Sequence, residues 1–285
     1  MSLELSVTDE FYFQWHITER CNKHCRHCYQ NGHPTEDLPL ADLELVLGRM
    51  EEALVKWDRQ GSISFTGGEP FVRRLELFAL MDRVDQMHSF AYYDILTNGS
   101  LISDDVAVAL GNQRKLRRVQ VSLEGSKPAI NDTIRGDGSY QETLGAIRKM
   151  KKHGLTVSVM TTISRFNYQD IPALIEVLNG ESVDTFAMER LIPEGRGESL
   201  RDQLLSSEEL KELYESVYEI ALKKKSTRVL LYRPLFTLVA PDDSSVGALC
   251  SVGNNALTIM PDGTVYPCRR LPIPIGNILT DGLFS

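Results

Sequence analysis

Six times between residues 11 and 223 a short β-like run is followed by a helical pattern, and this alternation constrains the fold more than any other feature of the 285-residue chain. The β-like runs cover residues 11–17, 62–66, 92–97, 118–123, 156–163 and 185–191, and the helical patterns cover 40–57, 70–87, 104–110, 141–153, 169–178 and 207–223. In the first helical pattern Leu43, Val46, Leu47, Met50 and Leu54 recur on one face. Pro70 suits the first turn of the second, and Gly154 suits the end of the fourth. Each crossover helix returns the chain in the same direction, so the alternation predicts an α/β protein with a mostly parallel sheet. Six units fit an open barrel or a doubly wound sheet, and periodicity does not choose between them.

After about residue 225 the long helices give way to prolines and short apolar runs. Residues 256–260 and 264–266, around Pro261-Asp262-Gly263, read as a β-hairpin. The expected organisation is a core over residues 1–225 and a small module over 226–285.

The formal charge is 31 − 39 = −8, which argues against nucleic acid as the main partner because no broad basic field is available. The basic runs at 114–118 and 149–152 read as solvated helix ends. No run of eighteen apolar residues spans a membrane, and the N-terminus lacks the pattern of a signal peptide. A cytoplasmic location is expected. Five cysteines in such a chain point to metal ligation or catalysis rather than disulfides.

Three of them form Cys21-x3-Cys25-x2-Cys28, just after the first β-like run. In α/β proteins that end of a strand carries the chemistry. Soft thiolates select Fe–S clusters, zinc or copper(I). A structural zinc site wants four ligands, commonly in two C-x2-C-like halves, whereas this chain has one C-x2-C pair. A cubane cluster held by three cysteines keeps one iron open for another ligand.

This spacing, with His27 before the last cysteine, resembles the signature of the radical SAM superfamily. The resemblance implies a partial (β/α)6 radical SAM barrel and a [4Fe–4S] cluster on Cys21, Cys25 and Cys28. It also implies S-adenosylmethionine as a cofactor, chelated at the open iron and cleaved reductively to a 5′-deoxyadenosyl radical. Thr66-Gly67-Gly68-Glu69-Pro70 is similar to the family's Gly-Gly-Glu-Pro motif, which makes Gly67, Gly68 and Glu69 candidate contacts of the methionine amino group. Paired glycines allow close approach to the backbone, and a carboxylate suits an ammonium. Asn98, directly after the third run, is a further candidate for binding S-adenosylmethionine. Ser122 and Glu124 stand where the family has Ser-x-Asp-Gly, with Glu124 in place of the commoner Asp. Residues 131–136 resemble His-Asp-x-Ile-Arg-Gly, which makes Arg135 a candidate partner of the S-adenosylmethionine carboxylate. Leu191, opening Leu-Ile-Pro-Glu-Gly-Arg, stands where the family packs apolar backbone against adenine.

Cys250 and Cys268, with the hairpin between them and Gly276-Asn277-Ile278 after, resemble the opening of a SPASM or twitch module, which holds an auxiliary Fe–S cluster. The family supplies further cysteines downstream, which the sequence to Ser285 does not contain. His24 and His33 read as solvated loop histidines, Met160 and Met188 as core, and Tyr29 as a packing partner of the cluster.

The expected function is a radical SAM enzyme that modifies a ribosomally made peptide by crosslinking, epimerisation or oxidation. About ten residues precede the first run, so a leader peptide is expected to need a partner protein or the barrel mouth. The alternatives are a radical SAM enzyme acting on a small molecule such as a tetrapyrrole, and a non-catalytic Fe–S or zinc-binding redox protein. An electron donor such as flavodoxin or ferredoxin is expected, with no nucleic-acid or membrane partner.

Overall fold

The structure is a computed structural model that describes residues 10–30, 36–223, 225–232, 234–244, 246–247, 250 and 252–283. Seven strands follow one another in the sheet in chain order: β1 (Glu10–His16), β2 (Gln60–Thr66), β3 (Phe90–Thr97), β4 (Leu116–Ser122), β5 (Val157–Ile163), β6 (Thr185–Arg190) and the short β7 (Arg228–Val229). Every neighbouring pair is parallel. A doubly wound sheet reverses its strand order at a switch point. This order never reverses, which leaves the partial (β/α) barrel.

The connecting helices are α1 (Leu40–Trp57), α2 (Arg74–Val84), α3 (Asp104–Gly111), α4 (Pro128–Arg135), α5 (Ser139–Lys152), α6 (Ile171–Gly180) and α7 (Ser207–Leu222). The expected apolar face of α1, Leu43, Val46, Leu47, Met50 and Leu54, is fully buried. It joins the strand residues Phe13, Trp15, Ile63, Phe65, Tyr93, Val119 and Val121 in one core. Side chains alternate along a strand, so the intervening residues of β1 and β4, Tyr12, Gln14, Arg118, Gln120 and Ser122, face the other side and line a cavity. The strands thus bury one apolar face under the helices and turn a polar face inward.

The C-terminal residues extend the same sheet. After α8 (Phe236–Val239), β8 (Ala256–Ile259) pairs parallel to β1, with Tyr12 opposite Ala256 and Trp15 opposite Ile259. The strands β9 (Thr264–Tyr266) and β10 (Gly276–Asn277) follow antiparallel, completing ten strands. The expected hairpin is present, and β7 to β10, all beyond residue 225, are strands of the same sheet. Among the described residues no helix is long and apolar enough to cross a membrane.

Three local expectations change. The helix expected over 70–87 begins as a 3-10 turn at Pro70–Arg73, where the Glu69 side chain accepts from Phe71 N at 3.1 Å. The basic run 114–118 is not a helix end. It leads into β4, where Arg117 and Arg118 both pair with Asp94 of β3. The run 149–152 does close a helix, α5. Helix α4 has no counterpart among the expected elements, because Pro128 opens only eight residues, too short a window to show a helical period.

Candidate functional site

One cavity, of about 530 Å³, collects most of the residues singled out in the sequence. The thiols of Cys21, Cys25 and Cys28, on the loop after β1, share its wall with Gly67 and Gly68 after β2, Asn98 after β3, Ser122 of β4, and Arg135. Cys268, from the segment after β9, lines it too. Cys250 is exposed and lies apart from this wall. His33 lies outside the described residues.

The loop that presents the thiols is fixed from several sides. Arg26 N donates to Ile134 O of α4 at 2.8 Å, and Gly197 N donates to Cys28 O at 3.2 Å. Arg196 donates through Nε to Cys25 O at 3.2 Å and lies 3.2 Å from Nδ1 of the exposed His24. Gly195 has φ +59°, and a Cβ there would stand 2.6 Å from the Tyr29 carbonyl, so a side chain would push the two loops apart.

Gly67 and Gly68 also answer to the protein's own backbone. Gly68 N donates to Thr18 O and Glu69 N to Arg20 O, each at 2.9 Å. A Cβ on Gly67 (φ +145°) would stand 2.2 Å from Thr18 O, and one on Gly68 would stand 2.3 Å from Arg20 O. The glycines are required where the loop after β2 crosses the chain leaving β1, before any ligand is considered.

Glu69, Glu124 and Leu191 do not line the cavity and are buried behind its wall. Glu69 is fully buried, and its oxygens accept from Thr97 Oγ1 at 2.8 Å, Asn98 N at 2.7 Å and Phe71 N. It ties the tip of β3 to that of β2. Burial pushes its carboxyl up to about 7, against the pull of those three donors. Glu124 is also fully buried. Its Oε1 accepts from Arg135 Nε at 3.0 Å and Nη2 at 2.8 Å, and its Oε2 accepts from Thr162 N at 2.7 Å. Leu191 is buried, and its neighbour Ile192 takes the place on the wall.

Sulfur is the one soft element at this end of the wall. The Cys21 thiol is pushed up by burial, with the nearby charges of Glu69, Cys25 and Cys28 adding to the rise. Among the described residues no three His, Cys, Asp or Glu side chains converge tightly enough to hold a single metal ion. The charges of Cys25 and Cys28 disfavour a thiolate at Cys21, a cost that a cation among the three would relieve. The donors around them suit that state: Lys23 N lies 3.4 Å from Cys21 Sγ, Asn98 Nδ2 3.9 Å from the same sulfur, and Arg135 Nη1 3.8 Å from Cys25 Sγ. N–H groups directed at thiolate sulfur are a means by which proteins tune Fe–S clusters. This donor set fits a three-cysteine cluster. His27 also lines the cavity, with Nε2 3.4 Å from Glu124 Oε1, and burial drives its pKa down to about 4.

Sequence reasoning misses part of the wall. The pattern of β5 places Met160 in the core, yet it lines the cavity with Thr162, two residues on along the same strand. Arg118, Gln120, Arg190, Arg269 and Arg270 also line it. The signal for two of these is available: with Ser122 in the site, strand alternation puts Gln120 and Arg118 on the same face.

Comparison with known proteins settles the family. The model of the radical SAM superfamily matches residues 15–178. The chain belongs to the radical SAM superfamily. An iron–sulfur cluster-binding domain, SPASM, matches residues 250–284. Together the two domains imply [4Fe–4S] clusters and S-adenosylmethionine as cofactors of an enzyme. The chain is 30% identical to the mycofactocin maturase MftC of Mycolicibacterium smegmatis, covering 95% of this chain and 68% of that protein. It is 27% identical to the AdoMet-dependent heme synthase of Oleidesulfovibrio alaskensis, covering 93% of this chain and 71% of that one. Among solved structures, SuiB of Streptococcus suis bound to precursor peptide SuiA superposes with a TM-score of 0.77 at 16% identity. That match covers 96% of this chain, which spans 63% of the SuiB chain. Native anSMEcpe with bound AdoMet superposes with a TM-score of 0.76 at 17% identity, covering 95% of this chain and 79% of that one. These two likenesses show the same barrel fold.

Proposed function

We propose that the chain holds a [4Fe–4S] cluster through Cys21, Cys25 and Cys28, binds S-adenosylmethionine beside it, and modifies a peptide. The observation that carries this reading is the shared cavity wall, on which three thiols meet the tips of β2, β3 and β4. When bound, the cluster and S-adenosylmethionine supply an electron and a 5′-deoxyadenosyl radical that abstracts hydrogen from the substrate. The chain's own residues bind and orient. Gly67, Gly68, Asn98, Ser122 and Arg135 form the wall with the thiols, Asn98 Nδ2 lying 3.9 Å from Cys21 Sγ and Arg135 Nη1 3.8 Å from Cys25 Sγ. Glu69 and Glu124 hold those walls from behind, the first by joining strand tips and the second by fixing the Arg135 guanidinium through two hydrogen bonds.

Peptide as substrate is supported by the maturase relatives and by the SuiB structure with a precursor peptide. A tetrapyrrole is the second reading, supported by the heme synthase at 27% identity. Cys268, on the cavity wall, would contribute to an auxiliary cluster, a reading supported by the match to the SPASM domain. A flavodoxin- or ferredoxin-like protein would supply the electron, and a cytoplasmic location suits an oxygen-sensitive cluster.

The test is anaerobic reconstitution with iron and sulfide, followed by S-adenosylmethionine and dithionite. Formation of 5′-deoxyadenosine that requires the reductant and disappears in Cys28→Ala is expected. Equal formation by Cys28→Ala would overturn the site assignment.

A further inference from the structure

The cavity is cationic in a chain whose net charge is −8. Seven of its lining residues are Lys or Arg, and Glu189 is the one carboxylate among them. Four of the cations are neutralised locally. Lys23 pairs with Glu142 at 2.5 Å, Arg118 with Asp94 at 3.1 Å, Arg135 with Glu124 at 2.8 Å and Arg270 with Glu189 at 3.1 Å. For Arg190, Arg196 and Arg269, no carboxylate among the described residues lies within ion-pair distance. Arg196 is occupied with Cys25 O and His24. That leaves Arg190, the last residue of β6, and Arg269 as cations without an ion pair among the described residues, Arg269 also lining a second cavity with Glu194 and Glu198.

Arg269 carries the second observation. Its Cζ lies 5.1 Å from the centre of the Tyr29 ring, which holds the guanidinium plane. Its Nε is buried and has no hydrogen-bond partner among the described residues. A buried donor left without an acceptor is costly, and such groups normally have one. With the Nε enclosed, the groups that Arg269 offers the cavity are its two Nη atoms, which suit the oxygens of a carboxylate. One carboxylate of S-adenosylmethionine does not account for this set, because the family resemblance assigns that group to the open iron.

We propose that the substrate enters this cavity carboxylate first and is held by Arg190 and Arg269. The proposal rests on the radical SAM reading and names the substrate class for that site. The carboxylate has three sources: a peptide C-terminus, an acidic side chain, or a polycarboxylate such as a porphyrin. The clamp also provides selection, since a cationic cleft with a low-dielectric wall raises the local concentration of anions.

The experiment measures binding to the cluster-loaded protein with S-adenosylmethionine present and no reductant, so no turnover enters the readout. Three fluorescent probes are used: a labelled glycine–tyrosine hexapeptide with a free C-terminus, its C-terminal amide carrying two internal glutamates, and coproporphyrin. Saturable binding of at least one probe is expected, with loss of about tenfold or more in Arg190→Gln and in Arg269→Gln. The probe that binds identifies the source. Neutralising its carboxylates should weaken wild-type binding by a similar factor and add little further loss in the Gln variants. Arg190→Lys and Arg269→Lys should recover part of the affinity, which a merely structural defect would not allow. Failure of all three probes to bind, or binding indifferent to probe charge, overturns the proposal. Formation of 5′-deoxyadenosine by the unaltered protein, assayed separately, reports on the radical SAM reading, so the two failures are distinguishable.

Discussion

A single oxygen of Glu124, Oε1, accepts from both Nε and Nη2 of Arg135, at 3.0 and 2.8 Å. The third nitrogen, Nη1, is thereby turned toward Cys25 Sγ, 3.8 Å away. The carboxylate is completely buried, and the guanidinium is 9% exposed. One ion pair therefore joins β4 to the cysteine loop through α4 and fixes what the cavity presents beside the thiols.

Removing the carboxylate leaves that buried cation without its partner. Glu124→Ala is expected to destabilise the protein by about 3–5 kcal/mol, the range for breaking a buried pair from one side. Glu124→Asp keeps the charge, and its loss should be less than half as large. Urea unfolding of the two variants beside wild type measures both.

The two glycines after β2 give a steric prediction. In Gly67→Ala or Gly68→Ala the new methyl meets a backbone carbonyl that cannot rotate away. Each is expected to cost on the order of 3 kcal/mol or more and to lower iron incorporation. Gly48, inside α1, has open space where a methyl group would sit, with nothing within 4 Å. Gly48→Ala should stabilise by about 0.5–1 kcal/mol, because helix interiors disfavour glycine. Thermal unfolding and iron content per chain check the contrast.

His16 gives the pH dependence. It is fully buried at the end of β1, neither ring nitrogen has a hydrogen-bond partner among the described residues, and burial lowers its pKa to about 3. The unfolded chain takes up a proton near 6.5. The stability that His16 allows is thus present above pH 6.5 and is lost as pH falls toward 3. Between pH 7 and pH 5 this loss is about 2 kcal/mol. His16→Phe should remove it, leaving a flatter profile, and denaturant midpoints of the cluster-free protein at several pH values show the difference.

Much of the architecture was legible because it is written in repeated patterns. Alternating apolar and polar residues in β1 and β4 mark both the core face and the cavity face, and the stripe on α1 marks what covers them. The thiols, Gly67, Gly68, Asn98, Ser122 and Arg135 come together because the segments that carry them follow or end strands, and parallel strands bring those ends to one side. Less legible were residues whose place depends on side-chain partners. Glu69 and Glu124 look like ligand contacts in one dimension, yet the donors that turn them inward, Asn98 N, Thr162 N and Arg135, come from other strands or from α4. Arg269 joins the cavity only because β8 pairs with β1, a contact across more than two hundred residues.

The central claim is that Cys21, Cys25 and Cys28 hold a cluster with an open iron that takes S-adenosylmethionine. Electron paramagnetic resonance of the dithionite-reduced Cys250→Ala/Cys268→Ala variant tests it most directly, since no auxiliary cysteine then contributes. A reduced [4Fe–4S] signal whose g-values shift on addition of S-adenosylmethionine is expected. A chain that incorporates zinc and no iron, or a cluster signal that S-adenosylmethionine leaves unchanged, would contradict the account.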